Sequence, residues 1–210
     1  MKMANMLLPL MLAVLLLGGC NANHAVEPEP EPSSIETITA ETAAVKAVTI
    51  SDTDYSVIRA AGADRIMIFE LRDIAKFGKL SFWTDHYVDG VFKEKLLAMA
   101  IGQLTDAPEG ELTRLYLTAM KLEDNKELWT LGVRQGRRGV YSAKYTALNM
   151  TFDSSMNYPL VNEWTETGNG PQALGVIVLD NGKNEMSTSS NVEETIKSYK
   201  DVYVLRFQTE

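Results

Sequence analysis

Alternation of apolar and polar residues with a period of two is the feature that most constrains the fold of this chain. From Lys79 to Tyr87 the side chains fall on two faces: Leu80 and Phe82 on one, and Trp83, Asp85 and Tyr87 on the other. Asp89-Gly90 follows, a pair that tolerates positive φ in a tight turn, and residues 91–101 return as the partner strand. The segment therefore predicts a β-hairpin.

The same period, or a short apolar run, recurs through most of the chain beyond residue 45. Besides the hairpin, strands are predicted at residues 45–51, 65–71, 111–122, 127–135, 140–152, 172–180 and 202–207. Helical patterns are confined to residues 55–61 and 191–199. About eight strands joined by short loops, with almost no helix, predict a mainly β domain, a single antiparallel β-sandwich over residues 45–210.

Residues 153–171 break this pattern and are predicted to form an irregular connection that crosses between the sheets. Tyr158 and Trp164 lie on it. Long loops on a rigid scaffold often carry binding residues, which makes this connection a candidate for function. Residues 172–180 then form an apolar run on both faces, which predicts a central strand.

The amino terminus is organised as a secretory signal. Lys2 makes it positive, and residues 6–17 are twelve residues without a charge. A membrane-spanning helix needs about 20 apolar residues, so this run is too short, and Gly18-Gly19 ends it.

Leu17-Gly18-Gly19-Cys20 resembles the lipobox of bacterial lipoprotein signals at all four positions, and the resemblance covers the first 20 residues. It implies diacylglyceryl attachment to the Cys20 sulfur and removal of residues 1–19. The domain would then lie on the extracytoplasmic face of the cell membrane, or on an outer membrane where the cell has two. Two or more acyl chains anchor stably, since each buried methylene contributes roughly 0.8 kcal/mol. The alternatives are an ordinary secretory signal with a chance cysteine, and a retained transmembrane anchor.

Residues 20–44 are predicted to form a disordered tether. Glu27-Pro28-Glu29-Pro30-Glu31-Pro32 has no apolar face, and its prolines and like charges keep it extended. At about 3.1 Å per residue the tether reaches up to roughly 70 Å. It is either a spacer through a cell-wall layer or a solubilising leash.

The charge balance narrows the possible partners. The chain has 20 basic and 28 acidic residues, and loss of Lys2 with the signal leaves a formal charge of −9. A negative chain repels phosphate backbones, so no nucleic-acid partner is expected. Contact with the membrane is expected only through the lipid on Cys20.

Residues that support catalysis or bind metals are sparse. His86 is the only histidine of the predicted domain, which also lacks a thiol. No catalytic set, metal site or cofactor is therefore expected. Two pairs of acidic residues lie close in the sequence: Asp85 with Asp89, and Glu163 with Glu166. They would support glycoside hydrolysis if they lined a groove. The simpler interpretation is that they belong to a solvated acidic surface. Residues 180–185 offer oxygen ligands but depart from the spacing of a calcium loop, which favours a plain turn.

Arg134, Arg137, Arg138 and Lys144 form one basic cluster, which is either a polar turn tip or a site for an anionic ligand. Aromatic side chains are the best candidates for ligand binding, because their rings stack on sugars and on partner side chains: Trp83, Tyr87, Tyr158 and Trp164. The alternative is that these rings belong to the core or plug a sheet edge.

A polar turn at residues 123–126 joins the strands predicted at 111–122 and 127–135 into a second hairpin. The lipobox, the acidic proline-rich tether and the two predicted hairpins together resemble small bacterial lipoproteins whose sandwich ectodomain has no assigned activity. This resemblance implies no site residues. The expected function is that of a membrane-tethered, non-enzymatic binding or accessory module for an envelope protein or glycan. The alternatives are a cell-wall glycan hydrolase that uses paired carboxylates, and an anchored inhibitor or regulator of an envelope enzyme.

Overall fold

The structure, a computed structural model, describes residues 43–74, 77–102, 112–136, 142–168, 170–182 and 185–210. Contacts divide the chain into two units, residues 1–39 and 40–210, and every described residue lies in the second. Cys20 and the predicted signal and tether up to residue 42 lie outside the described residues.

Eleven strands and two helices make up the described part of the chain. The strands are β1 (Ala43–Ala47), β2 (Ala63–Arg72), β3 (Lys79–Val88), β4 (Val91–Gly102), β5 (Thr113–Lys121), β6 (Lys126–Gln135), β7 (Ser142–Asn149), β8 (Ser154–Pro159), β9 (Thr165–Thr167), β10 (Gln172–Asp180) and β11 (Asp201–Thr209). The helices are α1 (Asp52–Ala60) and α2 (Val192–Ser198). Within these ranges no helix is long and apolar enough to cross a membrane.

The strands form two antiparallel sheets that pack face to face, which confirms the predicted mainly β sandwich. Sheet A has the order β7-β6-β5-β2-β1-β9, and sheet B the order β4-β3-β11-β10-β8. One apolar core fills the space between them, and its largest fully buried side chains include Phe69, Phe82, Trp129 and Phe207. The alternating residues of the sequence supply these inward faces, because successive side chains of a strand point to opposite sides.

Both predicted hairpins are present, and their turns have the expected chemistry. The β3–β4 turn holds Asp89 at φ 50° and Gly90 at φ 79°. The β5–β6 turn holds Asp124 at φ 59° and Asn125 at φ 56°. Asn, Asp and Gly tolerate this left-handed region, so both turns match the twist of their strands.

The predicted irregular connection at residues 153–171 is wrong, since it contains β8 and β9. β8 pairs with β10 in sheet B, and the chain then returns to sheet A, where β9 pairs with β1. These strands gave a weak sequence signal because β8 has only six residues and β9 is the polar tripeptide Thr165–Thr167. β1 also begins at Ala43, two residues before the predicted first strand.

β10 has neighbours on both sides, β11 and β8, as its continuous apolar sequence predicted. Its outward side chains pack in a second apolar cluster with Val204 of β11 and Ile196 of α2. The two sheets approach closely at Gly175, where an added Cβ would lie 2.8 Å from Met67 Sδ. A side chain at this position would force Met67 and its neighbours to shift, so glycine suits this close contact.

Candidate functional site

Trp164 lies on the connection between β8 and β9, half-buried beside the outer face of sheet A. Lys46 Nζ lies 5.0 Å from its ring centroid, and Arg72 Cζ lies 4.3 Å from it. The strand pairing explains why these three side chains are close together. β1 pairs with both β2 and β9, so Lys46 of β1 lies near Arg72 of β2 and near Trp164, which directly precedes β9. A ring attracts cations within about 6 Å, and these contacts hold Trp164 in one orientation.

Charged side chains cross the outer face of sheet A in a single row. In the strand registers Lys46 stands beside Glu70, Glu70 beside Arg114, and Arg114 beside Arg134. Glu70 is buried, accepts hydrogen bonds of 3.1 and 2.7 Å from Arg114, and lies 3.7 Å from Lys46 Nζ. The bond from Arg114 to Glu70 raises the pKa of Arg114. We use the name Trp164 surface for Trp164, Lys46, Arg72, Glu70 and Arg114.

One carboxylate therefore serves two cations in this row. Arg134 donates from Nε to the carbonyl of Gly136 rather than to an acid. The row carries a local excess of positive charge on a chain whose formal charge is −8. Arg114 stands directly opposite Arg134 in the register, and like charges in this position are destabilising.

An uncharged cavity lies beside this surface, with a volume of about 430 Å³. It opens where β1 ends at Ala47 and leaves one edge of β2 without a neighbouring strand. We call it the edge cavity, and its lining is formed by residues 47–50 and 66–68 with Tyr55, Asn157, Pro159 and Asn162. Its volume falls within the range of ligand pockets, about 300–1,000 Å³.

The connection that carries Trp164 also closes one side of the edge cavity. Val161 accepts a 2.7 Å hydrogen bond from the Ala47 backbone, which fixes the connection to the end of β1. Asn162 lines the cavity, and Trp164 follows two residues later over the charged row. The surface and the cavity thus share one short segment of chain.

Trp83 and Tyr87 share the outer face of sheet B, as the alternation predicted. Trp83 also has a cation over its ring, Lys95 Nζ at 4.3 Å from the centroid, but unlike Trp164 it is buried. Trp83 is buried and donates from Nε1 to Asp85 at 2.9 Å. Arg206 joins Asp85 to Tyr87, with contacts of 3.0 and 3.5 Å. Phe92, whose ring lies 5.8 Å from that of Tyr87, is the exposed aromatic residue among the described side chains of this face.

Tyr158 is a buried residue of β8 rather than a side chain on an irregular connection. Its ring packs in the apolar cluster beneath α2. Its hydroxyl lies 3.1 Å from Thr195 Oγ1 and accepts a 3.2 Å bond from the Ser189 backbone. These contacts attach α2 and its preceding segment to sheet B, which is a structural role.

Sequence reasoning missed a buried ion pair at one end of the sandwich. Arg65 donates from Nε and Nη2 to Glu127 at 3.1 and 3.0 Å, and Trp129 donates from Nε1 to the same carboxylate at 2.9 Å. A polar cavity of about 310 Å³ opens beside the pair. No local sequence pattern predicts this pair, because Arg65 and Glu127 lie on strands that are far apart in the sequence. Because each charge has a buried partner of opposite sign, no ligand is needed to explain why this pair is buried.

His86 also has partners that the sequence did not reveal. Its Nε2 lies 2.6 Å from Asp201 Oδ1, and its ring stacks on Tyr203 at 4.2 Å. Burial, followed by the charges of Asp201, Glu94 and Glu127, raises the pKa of Tyr203. This network joins β3 to β11 at the end of the core.

The acidic and basic motifs of the sequence are dispersed. Asp85 is engaged by Trp83 and Arg206, and Asp89 lies in the β3–β4 turn. Asp180 is buried, and its carboxylate accepts a bond from the Lys200 backbone. Across the described ranges, no group of three His, Cys, Asp or Glu side chains is arranged to hold a metal ion. Of the predicted basic cluster, Arg137 and Arg138 lie outside the described residues, as does the side chain of Lys144.

Comparison with known proteins identifies the domain. The profile of the YgaN domain matches residues 44–209, from the second residue of β1 to the last residue of β11. The chain belongs to the YgaN domain family. No curated protein matches the chain, and no solved structure matches it either. The Trp164 surface and the edge cavity both lie within the matched range.

Proposed function

We propose that this protein is an extracytoplasmic lipoprotein whose YgaN domain is a non-enzymatic binding module for an envelope protein or glycan. The diacylglyceryl group on Cys20 anchors it to the membrane, and residues 21–42 tether the domain. The observation that carries the proposal is Trp164, a partly exposed indole held by Lys46 and Arg72 at the edge of sheet A.

The anchor is supported by the position of the only cysteine, which follows Leu17-Gly18-Gly19 at the end of an uncharged run. Acyl chains on that sulfur hold the protein at the surface without a spanning helix. The acidic tether resists collapse onto an anionic membrane, since like charges repel. The domain therefore remains free to meet partners above the lipid surface.

The Trp164 surface favours a ligand with a flat or apolar group beside a negative charge. An indole stacks on the faces of sugars and of planar side chains, and the cations near it attract carboxylate or phosphate groups. Arg114 adds a further cation whose side chain is 46% exposed, while Glu70 beneath it fixes its position. An acidic glycan or an acidic protein segment matches this arrangement.

A binding role without catalysis is supported by how the acids are used. Asp85 neutralises Arg206 and accepts from Trp83, so it has a structural task. Glu163 and Glu166 are exposed, which leaves their carboxyl groups in water rather than in a desolvated groove. General acid catalysis by a carboxyl group at neutral pH needs such a desolvated setting.

The proposal is tested on the full-length protein in its native membrane. Partners are captured by chemical cross-linking, and wild type is compared with Trp164→Ala and with Phe92→Ala, an exposed aromatic control on sheet B. We expect Trp164→Ala to reduce capture at least tenfold, because the stacking ring is lost, and Phe92→Ala to leave it unchanged. Equal capture by wild type and Trp164→Ala would contradict the assigned surface.

The anchor has its own test. Intact mass of the membrane-extracted protein should show loss of residues 1–19 and acylation of Cys20, and Cys20→Ser should release the domain from the membrane. An unmodified thiol at residue 20 in the membrane-bound form would overturn the proposed placement.

A further inference from the structure

The edge of β2 is open where the edge cavity begins. β1 pairs with β2 only from Ala44 to Ala47, and the last contact on that side is the 2.8 Å bond from the Val48 backbone to the Ile68 carbonyl. Backbone groups of alternate strand residues point to the same side. The N–H and C=O of Ile66 therefore point the same way as those of Ile68, into the cavity that Ile66 lines.

No described residue fills the place opposite Ile66. After Val48 the chain leaves the β1–β2 ladder, and residues 48–50 line the cavity together with Tyr55 of α1, whose hydroxyl donates to the Asp64 carbonyl at 3.4 Å. Among the described backbone contacts, none beyond the β2–β5 ladder involves Ile66. An edge residue whose N–H and C=O lack partners can pair with the backbone of another strand.

The cavity also has the shape that an added strand needs. Met67 faces the core and Ile68 faces outward, so the lining wraps around the strand edge from one side of sheet A to the other. Asn157 and Pro159 of β8 also line the cavity. They flank Tyr158 in the strand, so their side chains lie on the opposite face from its buried ring. A strand lying along β2 sends successive side chains to opposite faces and meets both halves of the lining.

The lining has no charged residue in a chain that is 23% charged. Aliphatic groups of Ile50, Ile66 and Ile68 contribute the apolar part, and the amides of Asn157 and Asn162 contribute donors and acceptors. A charged group would lose its hydration here without gaining a partner of opposite charge. The cavity therefore excludes charged side chains and accepts aliphatic and hydroxyl groups.

We infer that the edge cavity binds a short extended peptide segment with uncharged side chains, which adds to β2 as an antiparallel strand in line with β1. The segment exchanges two backbone hydrogen bonds with Ile66, because facing residues of an antiparallel pair bond in this way. This inference rests on the proposed binding role and specifies one ligand for it, a protein segment rather than a glycan. Trp164, on the same connection as Asn162, then contacts the flanking part of the partner.

The first test measures hydrogen exchange at single backbone amides of the full-length lipidated protein in nanodiscs. The probe is the capped tetrapeptide acetyl-Val-Thr-Val-Thr-amide at saturating concentration. We expect exchange at the Ile66 amide to slow at least tenfold, and exchange at Phe69, already within the sheet, to stay unchanged. Three comparison ligands are used: the same peptide with alternate amides N-methylated, acetyl-Glu-Thr-Glu-Thr-amide, and an oligomer of N-acetylglucosamine.

None of the comparison ligands should protect Ile66, since one lacks the bonding edge, one is charged and one is not a strand. Protection of Ile66 in the protein without peptide would overturn the inference, because the edge would already be occupied. Equal protection by the N-methylated peptide or by the sugar oligomer would overturn it as well.

The second test uses a matched pair of variants. Ile50→Asp places a carboxylate in the cavity and should weaken tetrapeptide binding at least tenfold, while Val57→Asp places the same group on the exposed face of α1 and should have no effect. If tetrapeptide binding is absent but Trp164→Ala still abolishes partner capture, the strand inference is contradicted and the proposed function stands. If the tetrapeptide binds but Trp164→Ala leaves capture intact, the inference stands and the Trp164 surface is contradicted.

Discussion

The outer faces of the two sheets differ in what covers them. On sheet B, α2 lies over β10 and β11 and buries Ile196 in an apolar cluster with Val176 and Val204. On sheet A, the outer face carries the row of Lys46, Glu70 and Arg114, and α1 has no buried residue. The part of sheet B beneath α2 is therefore closed to a partner, whereas the charged row on sheet A is partly exposed and open to one.

The largest effect on stability is expected from a substitution in α2, the helix that covers part of sheet B. Ile196→Ala should lower the free energy of unfolding by about 2–4 kcal/mol, because it removes buried methyl groups and leaves a cavity beneath α2. Val57→Ala on α1 is the control and should change it by less than about 0.5 kcal/mol, since Val57 is 65% exposed. Urea denaturation measures both, and equal effects would show that the two helices do not differ as described.

A smaller effect is expected within the charged row of sheet A. Glu70→Gln should lower the free energy of unfolding by about 1–2 kcal/mol. The substitution weakens the charge-assisted hydrogen bonds from Arg114, and it removes the negative charge that lies between Lys46 and Arg114. The loss should shrink when Arg114→Ala is already present, which a double-mutant cycle detects. Additive losses would mean that the two side chains do not interact.

The interior between the two faces gives a prediction that appears only at alkaline pH. Burial raises the pKa of Tyr203 in the folded state above the unfolded value of about 10. The contribution of Tyr203 to the unfolding free energy is therefore complete below about pH 10. It is lost as the pH rises above about 10, because the Tyr203 hydroxyl then ionises in the unfolded chain but stays protonated in the folded one. Tyr203→Phe should flatten the decline in unfolding free energy above pH 10. An unchanged slope would contradict the raised pKa.

The smallest expected effect on stability belongs to Trp164. Trp164→Ala should change the unfolding free energy by less than about 1.5 kcal/mol, since the ring is partly exposed and its two cation contacts are worth about 0.5–1 kcal/mol each at exposed sites. Thermal denaturation measures this change. A loss of 3 kcal/mol or more, about the cost of removing a core aromatic, would make Trp164 a structural residue instead.

The alternation of apolar residues predicted the sandwich, the two hairpins and the buried β10, because each of these follows from local periodicity and turn residues. β8 and β9 were missed because they are short and because pairing with distant strands, rather than their own sequence, makes them strands. Trp164 was found as an aromatic residue in a candidate segment. Its cations and the edge cavity depend on where β1 ends and on registers between strands far apart in sequence, which no local pattern contains.

The most direct test of the central claim compares the two outer faces in the same protein. A photo-cross-linking amino acid is placed at Glu163, which is exposed next to Trp164, or at Lys197, which is exposed on α2, in the full-length protein in its native membrane. We expect a discrete cross-linked partner from position 163 that is lost in the Trp164→Ala background, and none from position 197. Cross-linking of the same partner from position 197, or from neither position, would contradict it.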